Sequence, residues 1–374
     1  MAEVGAQHVS KLWIHDFRCI EALEVNLHEG LTVIVGRNGQ GKTSLLEAIG
    51  WPALASSLRN VADVAIVRAG CDQAIVRSEI VDGDRTKLFE AEIRASGRNR
   101  MMVNSQTVQK RRDLFGVLRT TVFAPDDVQL VKGSPSGRRE YLDALLTGLT
   151  PRYVAAISDY ERILKQRNAL LKQAARDRSA LAMMGPFNEQ LVATAAEIIR
   201  GRQLLLQRLL RPLEMHYEAL GEGSTIGITY RAEWSEDLSV ETELDGLREQ
   251  LFTAIDRRSQ QELDRQITLV GPHRDDVVLS INGLDARTQA SQGEQRSLAL
   301  SMRLAGHAVT TDMAGSAPVL LLDDVFSELD HQRACALVEL LPKGQTIVST
   351  ATEVPPEISV QQAFEMISGK LTER

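Results

Sequence analysis

Apolar residues alternate with polar ones near the start of the chain and recur every third or fourth position in its middle. Segments 12–17, 23–27 and 31–35 are apolar with partial alternation and predict strands. Segments 73–82 and 86–94 predict a hairpin around Asp82-Gly83-Asp84, and 118–123 a further short strand ended by Ala124-Pro125. At Pro151 the period changes. Tyr153, Ile157, Tyr160, Leu164, Arg167, Leu171 and Ala174 form one helical stripe; Leu191, Ala195, Ile198, Arg202, Leu205 and Leu209 form a second. With the breaker Gly185-Pro186 between them, these rows predict an antiparallel helical hairpin with arms of about 27 residues and about 40 Å. Plain core helices of a helical subdomain would give the same rows. Beyond Gly221 the pattern predicts a helix near 240–255, a strand over 277–281, a helix from Gly293 to about Val309, a strand over 318–322 and a final strand over 346–349. The helical middle therefore reads as an insertion into one α/β unit: lobe I over 1–125 and 277–374, lobe II over 126–276 with the arm at about 152–213.

The 374 residues suffice for two or three folding units. Hydrophobic content of 43% and charged content of 25% fit a globular chain and exclude a disordered or fibrous one. No apolar run approaches the ~18 residues of a membrane-spanning helix. The first residues lack the apolar core of a secretory signal, and Cys19, Cys71 and Cys335 are too few and too scattered for a disulfide scaffold. The expectation is a reducing, cytoplasmic setting. A net charge of −7 means that any nucleic-acid surface is local.

GRNGQGKT fits G-x-x-x-x-G-K-[ST] at each fixed position, between apolar LTVIV and helical SLLEAI. Gly36, Arg37, Asn38, Gly39, Gln40 and Gly41 offer curled backbone N–H groups to phosphates at a helix N-terminus. Lys42 suits the β- and γ-phosphates of ATP, and the Thr43 hydroxyl suits Mg²⁺. Apolar 319–322 deliver Asp323 to a strand end as a second metal group, followed by Asp324, placed to orient the attacking water. Lys42, Asp323 and Asp324 are thus the expected catalytic set. SQGEQ, at 291–295, opens a periodic helix; Ser291 and Gly293 read either as a helix cap or as an anion site.

Basic residues cluster in three stretches. Arg94, Arg98, Arg100, Lys110, Arg111 and Arg112 occur with no acid between 94 and 112; Lys132, Arg138 and Arg139 follow; Arg200, Arg202, Arg208 and Arg211 form the third. Lys110, Arg111 and Arg112 are the densest triplet and suit sequence-independent contacts to duplex phosphates. With only 4% aromatics, a stacking platform for single strands is not indicated.

Together GRNGQGKTSLLEAI, FAPDDVQLVKGSPSGRREYLD, LKQRNALL, GPHRDD, SQGEQRSLALSMRLA and LLLDDVFSELD resemble the ABC-type ATPase heads of the SMC-related family, and within it the RecF family. The resemblance implies a mixed-sheet P-loop lobe with an inserted helical lobe, and an ATPase acting in DNA replication, recombination, gap repair and SOS induction. It implies that Ser291 and Gly293 contact ATP held by a second copy, with Asp330 at that dimer interface. It also implies that Arg59 touches nucleotide, that Gln129 stands where ABC heads carry a lobe-linking glutamine, and that RecR and RecO are partners in loading RecA on gapped DNA. Asp324 replaces the common glutamate, and Ser349–Thr350 stand where many ABC proteins have a switch histidine; both departures favour slow turnover. A transporter's nucleotide-binding subunit and an SMC-type structural protein are the alternatives, the first disfavoured by the basic clusters and the second by the short arm.

Overall fold

A computed structural model describes residues 6–374 except 58–60, 110, 115, 222, 236–237, 239–241, 353 and 355–357, and except the side chains of Arg111, Arg112 and Glu328. The chain divides into two compact units, one over 1–127, 215–223 and 300–374, the other over 128–214 and 224–299.

The first unit opens with strands β1 (His8–Phe17), β2 (Ile20–Asn26) and β3 (Leu31–Val35), followed by helix α1 (Lys42–Leu54). Strands β4 (Gln73–Asp82), β5 (Arg85–Arg94), β6 (Arg100–Val103), β7 (Gln106–Val108) and β8 (Thr120–Phe123) follow. One antiparallel sheet runs β2-β1-β4-β5-β6-β7. Phe17 and Trp51 meet edge to face between this sheet and α1, with ring centroids 5.8 Å apart.

The second unit holds α2 (Gln129–Lys132), α3 (Pro135–Leu149), α4 (Pro151–Ala174), most of α5 (Met184–Ala219), β9 (Ile226–Arg231), α6 (Leu244–Arg265), β10 (Asp276–Ile281), β11 (Leu284–Asp285), α7 (Ala286–Gln289) and the start of α8 (Gln292–Ala314). Helices α4 and α5 run antiparallel: Arg152 pairs with Glu197, Tyr153 packs on Gly201, and Arg167 reaches Asn188. Gly185-Pro186 lies in the first turn of α5, where proline's missing N–H has no partner to lose, so the expected breaker marks the helix start. At 36 residues, α5 spans about 54 Å, longer than the expected arm. The expected return at 277 falls at 300 instead, because β10 pairs along its length with β9 and keeps 277–299 in the second unit.

On its return to the first unit the chain forms β12 (Val319–Asp323), α9 (His331–Glu339), β13 (Thr346–Thr350), β14 (Gln362–Ile367) and β15 (Lys370–Glu373). These complete a second sheet, β15-β14-β3-β13-β12-β8, parallel but for β15. The strand expected to be last is therefore followed by a hairpin. QAFEMI and KLTE are short and half polar, so neither carries a clean period.

Candidate functional site

In the parallel sheet, β3 pairs with β13 so that Val35 faces Thr350, and β12 pairs with β13 so that Asp323 faces Ser349. This register gathers the C-terminal strand ends, where open α/β sheets place ligands. The loop after β3 is clamped from three sides. Gly36 donates its N–H to the Thr350 carbonyl at 3.1 Å; Gly369 donates to the Gln40 carbonyl at 2.9 Å; Ser368 donates to Gln40 Oε1 at 2.7 Å. Glycine is demanded at two places. A Cβ at Gly36 would lie 2.5 Å from the Met366 carbonyl oxygen, and Gly41, at φ 110°, would place one 2.9 Å from Cys19 Sγ. Beneath the loop, the buried Glu47 of α1 forms an ion pair with Arg18, whose guanidinium also donates to Ser57 Oγ at 3.2 Å.

Lys42 opens α1, is 6% exposed, and donates to the carbonyls of Gly36 at 2.7 Å and Arg37 at 3.2 Å. The Thr43 hydroxyl donates to the Asp323 carboxylate at 2.8 Å, and Ser349 Oγ donates to the same carboxylate at 2.6 Å. Asp324 occupies the left-handed region at φ 53°. Its N–H donates to the Ser349 carbonyl at 3.0 Å, and its Oδ1 accepts from Ser327 Oγ at 2.5 Å and from the Ala351 N–H at 3.1 Å. Among the described residues, Oδ2 of Asp324 accepts no hydrogen bond. Sequence reasoning placed Ser349 at the switch position without seeing that it ties the two aspartates together.

Asp330, in the same unit, caps α9 by accepting from the Arg333 N–H at 2.9 Å. Ser291 belongs to the second unit and forms a reciprocal capping box: its N–H donates to Glu294 Oε2 at 2.7 Å and its Oγ accepts from the Glu294 N–H at 3.3 Å. Gly293 sits in that first turn of α8, and Gln129 opens α2. Arg59 and Lys110 lie outside the described residues; Arg111 and Arg112 begin a 3₁₀ turn, and their side chains are outside the description too.

In the other two basic clusters Arg138 and Arg202 turn inward and Arg139 is half-buried, while Lys132, Arg208 and Arg211 are exposed. Arg138, 6% exposed, is bidentate to Asp276 at 2.8 and 3.1 Å and donates to the Gly133 carbonyl; Arg139 donates to the Asp275 carbonyl at 2.7 Å. Arg202 is bidentate to Asp143, both bonds 2.8 Å, and donates to the Pro272 carbonyl. Arg167 of the LKQRNALL string is also buried, donating to Glu262 at 2.6 Å and to Thr268 and Asn188 at 2.8 Å. GPHRDD centres the first part of this network. Asp275 accepts from Tyr230 and Trp234, and burial lifts its carboxyl to about 7; His273 shares a 2.6 Å hydrogen bond with Tyr160, and burial lowers its imidazole to about 4.

The arrangement in the first unit suits a nucleoside triphosphate with a divalent cation. A glycine-walled loop meets a helix N-terminus, a buried ammonium lies along it, and a hydroxyl–carboxylate pair stands beside a second carboxylate. Residues 8–366 match a family model described as the RecF/RecN/SMC N terminal domain. The chain is 42% identical over 363 residues to the DNA replication and repair protein RecF of Frankia alni, covering 94% of this chain and 96% of that protein. It is 39% identical over 351 residues to that of Streptomyces avermitilis, with 92% and 93% covered. Among solved structures, the recombination mediator protein RecF with ATP, of the RecFOR pathway, superposes with a TM-score of 0.91 at 27% identity, over 100% of this chain and 99% of that one. The Smc head domain of Pyrococcus furiosus shares the fold, with a TM-score of 0.61 at 16% identity over 98% and 96% of the two chains.

Proposed function

The chain belongs to the RecF family within the RecF/RecN/SMC group, and from that premise we propose a working assignment for each part of its nucleotide site. The protein is an ABC-type ATPase of DNA replication and repair. Residues 36–41 supply backbone donors to the triphosphate of ATP, and Lys42 supplies the facing charge. Thr43 and Asp323, already in contact, are the ligands for Mg²⁺, which when bound neutralises phosphate charge. Asp324 has one oxygen anchored and the other open, the arrangement a water-orienting base needs. Ser349 holds the Asp323 carboxylate but its hydroxyl cannot take up a proton as a histidine does, which favours a slow, switch-like turnover.

ATP joins two copies, Ser291 and Gly293 of one completing the site of the other, with Asp330 at the junction. The capping box already fixes Ser291 at a helix N-terminus, where anions are favoured. The nucleotide-joined form binds duplex or gapped DNA through its phosphates and works with RecR and RecO in the cytoplasm to load RecA.

The hydrogen-bond chain Thr43–Asp323–Ser349 carries this reading, because it unites three strand or helix ends that are distant in sequence around one polar point. Lys42→Ala tests it: ATP affinity falls by about two orders of magnitude, with circular dichroism unchanged. Ser291→Arg separates the second step: nucleotide still binds, and light scattering shows monomers with and without ATP. Normal ATP affinity in Lys42→Ala overturns the site, whereas an ATP-dependent dimer of Ser291→Arg overturns only the shared shell.

A further inference from the structure

Arg138, Arg167 and Arg202 of the second unit are neutralised inside it, so the basic residues that can meet a polyanion are among its exposed cations. Helix α4 and the turn that follows it retain such a set. Between 162 and 176 there is no acid, and the five cations are Arg162, Lys165, Arg167, Lys172 and Arg176. Arg167 is consumed by the buried Glu262, and Arg162 pairs with Asp159 at 3.1 Å. Lys165, Lys172 and Arg176 are exposed, and among the described residues they make no ion pair. The acids nearest in sequence are Glu161, four residues before Lys165, and Asp177, whose carboxylate is engaged by the Ser179 N–H at 2.9 Å.

At 100° per residue Lys165 and Lys172 lie within about 20° of each other on α4, and Arg176 follows in the turn just past its C-terminus. The face opposite buries Ile163, Arg167, Leu170, Leu171 and Ala174. Lys165 and Lys172 stand about 10 Å apart along the axis, a spacing within which duplex DNA presents several phosphates. Gln166 and Gln173, also exposed, flank the cations with further donors, and no exposed aromatic interrupts the stripe from 162 to 176. We infer that the outer face of α4 and the turn at its C-terminus, through Lys165, Lys172 and Arg176, is a duplex-DNA backbone contact surface. Lysines on a four-carbon stem suit this use: they follow phosphates without reading bases.

The inference rests on the DNA-binding reading above, so its test keeps the two apart. The wild type, the triple variant Lys165→Gln/Lys172→Gln/Arg176→Gln and the charge-keeping Lys165→Arg/Lys172→Arg are titrated with a duplex of about 30 base pairs in saturating ATP across a range of salt. The triple variant loses up to ~2.7 from the slope of log affinity against log salt, ~0.9 for each lost contact, and binds about ten- to a hundredfold more weakly at physiological salt. The arginine variant keeps the wild-type slope, and ATP affinity is equal in all three. A triple variant with the wild-type slope overturns the surface while leaving DNA binding in place. Failure of the wild type itself to bind any duplex overturns the functional reading and the surface with it.

Discussion

Both units bury polar groups that are distant in sequence, but the first draws them from strings recognisable as motifs. In the first, Lys42 at the start of α1 and Asp323 and Ser349 at strand ends are each buried. In the second, Arg138, Arg167 and Arg202 are drawn inside, each held by a carboxylate 138, 95 or 59 residues away in sequence. A loop that cradles a ligand must be written contiguously, because its backbone has to follow the ligand. A polar core has no such demand, and its partners can be scattered.

The largest test of that contrast is Arg167→Ala. It leaves Glu262, 1% exposed, in the interior without its cation, and should cost the second unit about 3–5 kcal/mol. Amide exchange along α4 and α6 would register the loss while ATP affinity stays level. Arg167→Met/Glu262→Leu should recover much of it, since an apolar pair leaves no orphaned charge. A loss below 1 kcal/mol in the single variant would erase the contrast.

Acid sharpens the comparison next. In the first unit, burial lowers His307 to about 4, with the nearby His216, itself lowered by burial, adding repulsion. A histidine depressed in the folded state contributes stability that is complete above its unfolded value of about 6.5 and is lost as pH falls toward 4, about 3 kcal/mol for His307. The second unit carries the same liability at His273, but the buried Asp275, raised to about 7, works in the other direction. It takes up a proton in the folded state, so its cost at neutral pH is relieved as pH falls through the same window. Between pH 6.5 and 4, protection of α8 amides should therefore fall while that of β10 stays nearly level. Parallel losses would show that the two groups do not offset.

Two smaller effects probe the motif side alone. Asp324→Asn should retain ATP, lower turnover about a hundredfold (about 2.7 kcal/mol) and prolong the nucleotide-joined dimer. Turnover equal to wild type would reduce Asp324 to a structural acid. Ser349→Ala should cost about 1 kcal/mol, because Asp323 keeps its Thr43 bond but loses the 2.6 Å one, with turnover reduced several-fold. An unchanged turnover would confine Ser349 to packing.

What could be read from the sequence follows the same division. The P-loop, the β12 aspartates and the opening strands were legible because each is a continuous string whose period or spacing is its own evidence. The stripe through Arg202 and Leu209 was legible as a buried face, since every member of the second row but the unexplained charge was apolar. That charge was the hard part. Arg138, Arg139 and Arg202 read as basic surface because the carboxylates that pair with Arg138 and Arg202, and the carbonyl that accepts from Arg139, lie in GPHRDD and α3, remote in the chain. The β14–β15 hairpin was invisible for a related reason: its strands are half polar, and only pairing with β3 makes them strands.

That hairpin sets the order in which the molecule can become competent. Ser368 closes on Gln40 across 328 residues, and Gly369 closes on the same residue. At ~5–20 residues per second a ribosome needs roughly 15–65 s to make that interval. Residues 36–41 wait through all of it before the clamp from Ser368 and Gly369 arrives. The shape of that loop is thus set by contacts from a segment hundreds of residues later, so it reports on the folding of the whole parallel sheet and not on its own string alone.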